Sequence, residues 1–239
     1  MNNDGLLRRT LVLATSSIGM SAVLGACARQ RGAAAREPKQ EGGAGEGDEV
    51  TPGEDLMREH GVLRRVMFLY DEAIRRLDGP ADVPGDVLLS AAGVVRRVIE
   101  DYHEKLEEDF LFPRFERAGK HTDLVAVLRS QHQAGRLVTA DVLTLAREPL
   151  REQAARRKLA DRLRAFNRMY RPHAAREDTV LFPALRALVG AKAYADLGEQ
   201  FEEKEHRMLG DEGFEKAVAE VAELEVALGI ADLASFTPT

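Results

Sequence analysis

The chain has 239 residues, of which 44% are hydrophobic and 31% charged, a composition typical of a soluble globular protein rather than a disordered or fibrous one. Its 34 Lys and Arg against 40 Asp and Glu give a formal charge of −6 without a basic block, which argues against nucleic-acid binding. Tryptophan is absent and aromatic residues make up only 5%, so the composition favours helices over a β-sandwich or barrel, and the single cysteine excludes an intrachain disulfide.

Residues 1–27 have the pattern of an export signal. Arg8 and Arg9 precede an apolar stretch that is too short to span a bilayer comfortably. The arginine pair resembles a twin-arginine signal, with the general secretory route left open. The stretch ends in Leu-Gly-Ala-Cys at 24–27, which resembles a bacterial lipobox, so Cys27 is the predicted lipid-attachment residue. The prediction is an exported lipoprotein anchored at the cell envelope, periplasmic or outer-facing; the alternative is an uncleaved hydrophobic N-terminus with an incidental cysteine.

Residues 28–53 are rich in Gly, Ala and Glu and predict a flexible tether. Thr51 and Glu54 have the spacing of a capping box, with Pro52 at the first helical position, so the first helix is expected to begin here. Its apolar stripe continues to Leu77 at helical spacing.

Three more amphipathic helices are predicted, at about 86–112, 122–147 and 150–182. Short connections between four long helices predict an all-α fold, an antiparallel up-down-up-down four-helix bundle over 54–190. The Leu-Phe-Pro segments of the second and fourth helices are expected to end them near Pro113 and Pro183. Residues 191–239 add a C-terminal extension with two further helical patterns.

The chain contains an internal repeat. The sequence H-x3-E-x3-L-F-P begins at His103 and again at His173, an offset of 70 residues. Upstream, His60 and His132 each begin H-x3-R-x-V, at an offset of 72. Each half is therefore expected to be a helical hairpin with one His on its first helix and a His/Glu pair on its second, and the two halves would be related by pseudo-twofold symmetry.

The repeated His and Glu residues lie at or beside core positions of their helices. Residues four apart share one face of a helix, so an imidazole and a carboxylate at this spacing can converge inside a bundle. Burying an unpaired carboxylate costs several kcal/mol and the inner faces carry almost no Lys or Arg, so we expect a cation beside Glu107 and Glu177. Any one of these residues alone is better explained as a satisfied core residue or a surface pair, but the symmetric set indicates a metal site. The predicted ligands are His60, His103, Glu107, His132, His173 and Glu177.

The ligand types restrict the metal. Four imidazoles and two carboxylates without a thiolate argue against a cysteine-type structural zinc site, and they are more ligands than one tetrahedral ion uses. Two ions bridged by Glu107 and Glu177 would use all six. This donor set suits iron, with manganese or zinc less favoured. The zinc-protease motif H-E-x-x-H is not met at His103, because position 107 is Glu.

The pattern H…H-x3-E…H…H-x3-E on four helices resembles the hemerythrin family, in particular its bacterial HHE cation-binding domains. The resemblance covers about residues 54–190. It implies that the six residues are ligands of a non-haem di-iron centre, with Glu107 and Glu177 as bridges, and that the chemistry involves O2 or NO.

Two departures from the oxygen-carrying members argue against oxygen carriage. Those proteins have a second His four residues away on the third helix, where this chain has Leu128 and Arg136. They also end the pattern with H-x4-D, so Asp178 competes with Glu177 as a bridge, although the repeat favours Glu177. His206 in the C-terminal extension is a further candidate ligand, or a cover for an open coordination position, with a surface role as the alternative.

The hypothesis from the sequence is a hemerythrin-like di-iron protein of the cell envelope that binds or reacts with O2, NO or peroxide. The alternatives are a peroxide- or NO-detoxifying di-iron enzyme, an inert iron-binding or structural metal protein, and a metal-free helical lipoprotein that binds partners through its amphipathic faces. The expected partners are these small molecules and a membrane, through the lipid anchor. No nucleic-acid partner is expected, and a protein partner is left open.

Overall fold

The computed structural model describes residues 50–238, so the predicted leader, Cys27 and almost all of the tether lie outside the described residues. Within 50–238 every regular element is a helix and no strand is present, which confirms the predicted all-α class. The helices are α1 (Pro52–Asp78), α2 (residues 85–118), α3 (Thr122–Leu145), α4 (residues 153–189), α5 (Ala191–Leu209) and α6 (Gly213–Ala227), followed by a 3₁₀ turn at Leu233–Phe236.

Both ends of α1 are fixed by side chains. The predicted capping box is confirmed: Thr51 Oγ1 accepts a hydrogen bond from the Glu54 amide (3.4 Å), and Glu54 Oε2 accepts one from the Thr51 amide (3.0 Å). At the other end the buried Arg156 guanidinium of α4 donates to the backbone carbonyls of Arg76 (2.7 Å) and Leu77 (3.2 Å). The last carbonyls of a helix lack the amide of a further turn, although the Arg76 carbonyl also accepts a hydrogen bond from the Gly79 amide (3.1 Å). Arg156 thereby fastens the end of α1 to the start of α4.

Helices α2 and α4 contain π-helical turns. In α2 the successive segments are Gly85–Val94 (α), Val95–His103 (π), Glu104–Leu106 (α), Glu107–Leu111 (π) and Phe112–Ala118 (α). In α4 they are Gln153–Arg176 (α), Glu177–Leu181 (π) and Phe182–Val189 (α). The repeat is thus preserved in the backbone, because one π turn begins at each repeated Glu.

The predicted helix ends at Pro113 and Pro183 are wrong, since both helices continue for several residues beyond the proline. Each proline stands at the beginning of the α-helical segment that follows a π turn. A proline at the start of a helical segment is tolerated because its missing N–H is not needed there, and its fixed φ already suits a helix. The wider π turn therefore lets the helix restart instead of ending.

The interior is divided into two hydrophobic clusters, one containing Tyr70, Ile99 and Phe166 and the other containing Leu106 and Leu181. Helix α1 packs against α2 and α4, and α3 also packs against α2 and α4. The repeated His and Glu residues lie along the chain where each helix passes from one cluster to the other. The buried His and Glu residues are therefore flanked by a hydrophobic cluster on either side.

The two helical patterns predicted in the C-terminal extension are confirmed as α5 and α6. Lys204 of α5 pairs with Asp109 of α2 (2.9 Å), and Arg65 of α1 pairs with Glu225 of α6 (2.6 Å). The extension is thereby attached to the first two helices. None of the described helices combines the length and apolarity needed to cross a bilayer.

Candidate metal centre

The six predicted ligands lie together inside the protein, at the same height along the four helices α1 to α4. His60 comes from α1, His103 and Glu107 from α2, His132 from α3, and His173 and Glu177 from α4. Their side chains are at most 3% exposed. These groups are shielded from bulk solvent, so their charges need partners inside the protein.

The imidazoles form two pairs. The ring centroids of His60 and His103 lie 4.6 Å apart, and those of His132 and His173 lie 5.0 Å apart. All four turn Nε2 towards a buried carboxylate. The Nε2 to Oε2 distances are 3.7 Å for His103–Glu107, 3.3 Å for His132–Glu107, 3.5 Å for His60–Glu177 and 3.1 Å for His173–Glu177. Each imidazole pair therefore faces both carboxylates, so the imidazole and carboxylate donors converge at one place.

Ligand atoms of Glu107, His132, His173 and Glu177 all lie within 4.8 Å of one another, close enough to share a cation. Both oxygens of Glu107, both oxygens of Glu177 and Nε2 of His103 and His132 have no hydrogen-bond partner among the described residues. Buried polar atoms are rarely left in this state unless an ion or water satisfies them. The residues therefore fit a bound cation: the donors are present, they converge, and nothing in the described protein satisfies them.

The other nitrogen of every imidazole is held from outside. His60 Nδ1 donates to Asp178 (2.7 Å), His103 Nδ1 to Glu59 (2.5 Å), His132 Nδ1 to Glu108 (3.1 Å) and His173 Nδ1 to Gln131 (2.9 Å). An acceptor at Nδ1 fixes the tautomer that leaves the Nε2 lone pair free for a metal and makes the imidazole a better donor to it. These four links run from α1 to α2, α3, α4 and back to α1, so they form a closed ring around the site, here called the Nδ1 ring.

The Nδ1 ring was not predicted from the sequence. Glu59 and Gln131 each directly precede a predicted His ligand, and Glu108 and Asp178 each directly follow a predicted Glu ligand. Glu59 and Gln131 are separated by the same 72 residues as His60 and His132, and Glu108 and Asp178 by the same 70 residues as the Glu pair. The internal repeat could have identified these residues, because it continues through the residue next to these ligands.

Two arginines support the ring from outside. Arg136 pairs with Glu108 (2.8 Å), which holds His132. Its counterpart in the repeat, Arg64, pairs with Asp178, which holds His60. An arginine beside the outer carboxylate orients that group through charge-assisted hydrogen bonds.

The placement of Asp178 bears on the choice of bridging residue. Its carboxylate lies on His60 Nδ1 and Arg64, while Glu177 faces the imidazole Nε2 atoms and is fully buried. The geometry favours Glu177 as the inner carboxylate and assigns Asp178 an outer, orienting position.

His206 does not join the buried group. Its side chain is 73% exposed and pairs with Asp211 (2.9 Å) at the end of α5. Charged neighbours in its sequence segment keep this part of α5 on the surface. The structure therefore places His206 where the surface alternative expected it.

A second acidic group, formed by Glu104, Glu108 and His132, also has ligand atoms close together. Here the positive charge is already supplied by Arg136, whose Nη2 lies 2.7 Å from Glu104 and 2.8 Å from Glu108. Tyr170 adds a hydrogen bond from its hydroxyl to Glu104 (2.7 Å), and its ring lies edge-on to His173 at 5.4 Å. This group is a supporting network rather than a second metal site.

The electrostatics of the metal-free chain show how strongly the buried carboxylates interact. Burial and the nearby Glu177 raise the pKa of Glu107. Burial also acts to raise the pKa of Glu177, but His173 and His60 outweigh it and hold that pKa below its usual range. Burial lowers the pKa of His103 to about 3, so this imidazole is neutral, as a metal ligand must be.

Replacing Asp178 with Asn tests whether the Nδ1 ring strengthens metal binding. Asp178→Asn keeps the size of the side chain but removes the charge that polarises His60 and holds Arg64. We expect metal affinity to fall by about 10- to 100-fold with the fold retained. Competition with a chromogenic chelator measures this change. The control is Asp196→Asn on α5, which breaks only a surface pair with Lys192; equal weakening by both variants would contradict the prediction.

Comparison with known proteins agrees with this geometry. The family model "Hemerythrin HHE cation binding domain" matches residues 51–185. Uncharacterized protein Mb2018 of Mycobacterium bovis and Uncharacterized protein Rv1995 of Mycobacterium tuberculosis are each 47% identical over 191 residues, which is 80% of this chain and 75% of theirs. No solved structure matches the chain significantly.

Proposed function

We propose, because the chain belongs to the hemerythrin HHE cation-binding family, that its buried His/Glu cluster holds a non-haem di-iron centre that binds or reacts with O2, NO or peroxide. Hemerythrins as a family bind metal, usually iron, and small gas ligands. The observation that carries the proposal is the convergence of four Nε2 atoms on two fully buried carboxylates whose oxygens have no partner among the described residues.

Each of the six residues has a role in that proposal. His60 and His103 would hold one ion, His132 and His173 the other, and both carboxylates would be shared. The donor set of imidazole and carboxylate without thiolate suits iron. An iron pair would supply a redox-active Lewis-acidic centre for a small ligand. The described helices support an antiparallel four-helix bundle as the scaffold, since each of α1 to α4 packs against at least two of the others.

The chain's own residues would control access and polarity at this centre. Phe112 stacks on His132 and Phe182 stacks on His60, each with centroids 5.4 Å apart, and these rings close the site on one side. The Nδ1 ring holds the imidazoles with Nε2 inward before any ligand arrives. A dry, preset site suits a small uncharged molecule, because little reorganisation is needed when it binds.

The test is metal analysis with an absorption spectrum of protein purified with iron available. We expect about two irons per chain, near-ultraviolet and visible bands, and a spectral change on adding H2O2 or NO. Glu107→Ala/Glu177→Ala should lose both metal and bands. The matched control, Glu203→Ala/Glu223→Ala, removes the same charge from exposed positions and should keep them.

A folded wild-type protein without stoichiometric metal would overturn the proposal. Stoichiometric iron that shows no response to peroxide, NO or O2 would instead favour an inert, structural metal. Sustained consumption of peroxide or NO would favour the detoxifying enzyme.

We further propose that the chain is an exported lipoprotein with a signal at 1–27, lipid on Cys27 and a tether over 28–53, placing the domain at the cell envelope. The support is the lipobox-like segment, in which the only cysteine of the chain stands at the lipobox position. Cys27→Ser should abolish labelling by a radioactive fatty acid in a bacterial host and release the protein from the membrane fraction. Unchanged membrane association would contradict the anchor. The control is Ser21→Ala, which lies in the same leader and should retain labelling.

A further inference from the structure

The two halves of the repeat differ beside the metal-site ligands. Position 104 in the first half corresponds to position 174 in the second at the offset of 70, and these positions carry Glu104 and Ala174. The buried Glu104 carboxylate of α2 accepts a hydrogen bond from Tyr170 of α4 and pairs with Arg136 of α3. Ala174 is also buried, but it brings no carboxylate to the matching interface between α4 and α1.

The two equivalent arginines are satisfied to different degrees. Arg136 pairs with two carboxylates, Glu108 and Glu104, and its side chain is 24% exposed. Arg64 pairs within residues 50–238 only with Asp178, the counterpart of Glu108, and its side chain is 41% exposed. A guanidinium has five N–H donors in a planar fork, so Arg64 retains donors for a second planar acceptor.

A cavity lies beside Arg64 and Ala174. It has a volume of about 200 Å³ and is lined by Arg64, Met67, Phe68, Arg171 and Ala174. Its lining residues thus combine two arginines with apolar side chains. In the first half, the position equivalent to Ala174 is occupied by the Glu104 side chain.

We propose that this cavity binds a small planar anion, a monocarboxylate or an oxyanion of similar size, as an external replacement for the carboxylate that Glu104 supplies in the other half. Arg64 would take the anion as its second acidic partner, as Arg136 takes Glu104. Arg171, whose guanidinium pairs with Asp71, adds positive charge to the wall. The buried Met67 gives the anion an apolar neighbour, and the half-exposed Phe68 leaves the cavity open for the anion to enter from solvent.

This site is connected to the predicted metal centre but does not depend on it. Arg64 holds Asp178, and Asp178 accepts the hydrogen bond from His60. An anion on Arg64 therefore acts on the outer partner of a metal ligand without touching the metal. Its binding can be measured whether or not iron is the native metal.

Formate is the probe, because it is the smallest planar carboxylate. Isothermal titration of the purified protein should give one formate per chain, and formate should raise the Tm above that in chloride of equal ionic strength. Ala174→Glu supplies a tethered carboxylate to Arg64, and Arg64→Gln removes the receptor. Each should weaken formate binding by at least about tenfold, since a hydrogen-bonded charged pair is lost or occupied. Ala174→Glu should also raise the Tm measured without formate.

The control is Arg168→Gln, which removes one exposed positive charge from α4 outside the cavity and should leave formate binding unchanged. Equal weakening by Arg168→Gln and Arg64→Gln would mean a general charge effect and would overturn the proposal. So would undiminished binding in Arg64→Gln, because formate would then sit elsewhere, for example on the metal. Arg64 is partly exposed, so its variant keeps the test usable if Ala174→Glu does not fold. Absence of saturable formate binding by the wild type also overturns it.

Discussion

Gly135→Ala is expected to lower the free energy of unfolding by about 3 kcal/mol or more, which corresponds to a fall in Tm of roughly 10 °C. A Cβ at this position in α3 would collide with the Tyr170 hydroxyl oxygen and lie 2.7 Å from Cζ of the same ring. The Tyr170 ring is buried and cannot move aside without breaking its hydrogen bond to Glu104. The change therefore combines overpacking with the loss of a buried polar contact.

The matched control is Gly61→Ala, in the middle of α1, where an added Cβ meets nothing within 4 Å. Alanine favours a helix over glycine, so Gly61→Ala should stabilise the protein by up to about 1 kcal/mol. Thermal unfolding of both variants measures the difference. Adding Tyr170→Leu to Gly135→Ala should recover part of the loss, because the clashing atoms are gone. Equal stability of the two glycine variants would contradict the prediction.

Removal of metal is expected to make stability strongly dependent on pH. In the metal-free chain burial raises the pKa of Glu59 to about 8 and that of Glu104 to about 7. Burial opposes a charge on His132, but the neighbouring carboxylates of Glu107 and Glu108 prevail and raise its pKa to about 10. A group whose pKa is raised on folding stabilises the protein fully below its unfolded pKa, and this contribution is lost as the pH rises through the folded value.

The metal-free protein should therefore lose several kcal/mol of stability between about pH 6 and pH 9, at roughly 1.4 kcal/mol per pH unit for each group that titrates. His103 acts in the opposite direction, because its lowered pKa removes stability only as the pH falls from 6.5 towards about 3. With metal bound the decline should be shallower, since a cation keeps its ligands deprotonated at both pH values.

Urea unfolding at pH 6 and pH 9, with metal bound and after chelation, measures both slopes. Glu59→Gln retains an acceptor for His103 but removes one titrating group, so the metal-free slope should become shallower. A metal-free protein that is as stable at pH 9 as at pH 6 would show that the buried groups do not titrate as described.

The helices and the six buried His and Glu residues could be predicted because they follow from helical periodicity. A four-residue spacing on an apolar stripe fixes which face His173 and Glu177 share, and the repeat brings them opposite their counterparts. The continuation of α2 beyond Pro113 could not be predicted, since proline normally ends a helix and the π turn that accommodates it depends on tertiary packing.

The carboxylates of the Nδ1 ring were not predicted, for a different reason. Glu59 and Glu108 are adjacent to inner ligands, so on each helix they point away from the stripe that marks the core. Their contacts with His103 and His132 depend on a neighbouring helix, which helical periodicity does not describe. The contrast between Glu104 and Ala174 was present in the repeat. Its significance became clear only from the structure, in which Arg136 pairs with Glu104 and Arg64 lies beside a cavity.

The closed form of the Nδ1 ring has a consequence for how the protein unfolds. Its internal repeat would allow two hairpins to open independently, one made of α1 and α2 and the other of α3 and α4. Two of the four ring links cross between the hairpins, through Glu108 to His132 and through Asp178 to His60. Opening either hairpin therefore breaks links to the other, so we expect the four helices to open as one cooperative unit in native-state hydrogen exchange, despite the duplicated pattern of the sequence.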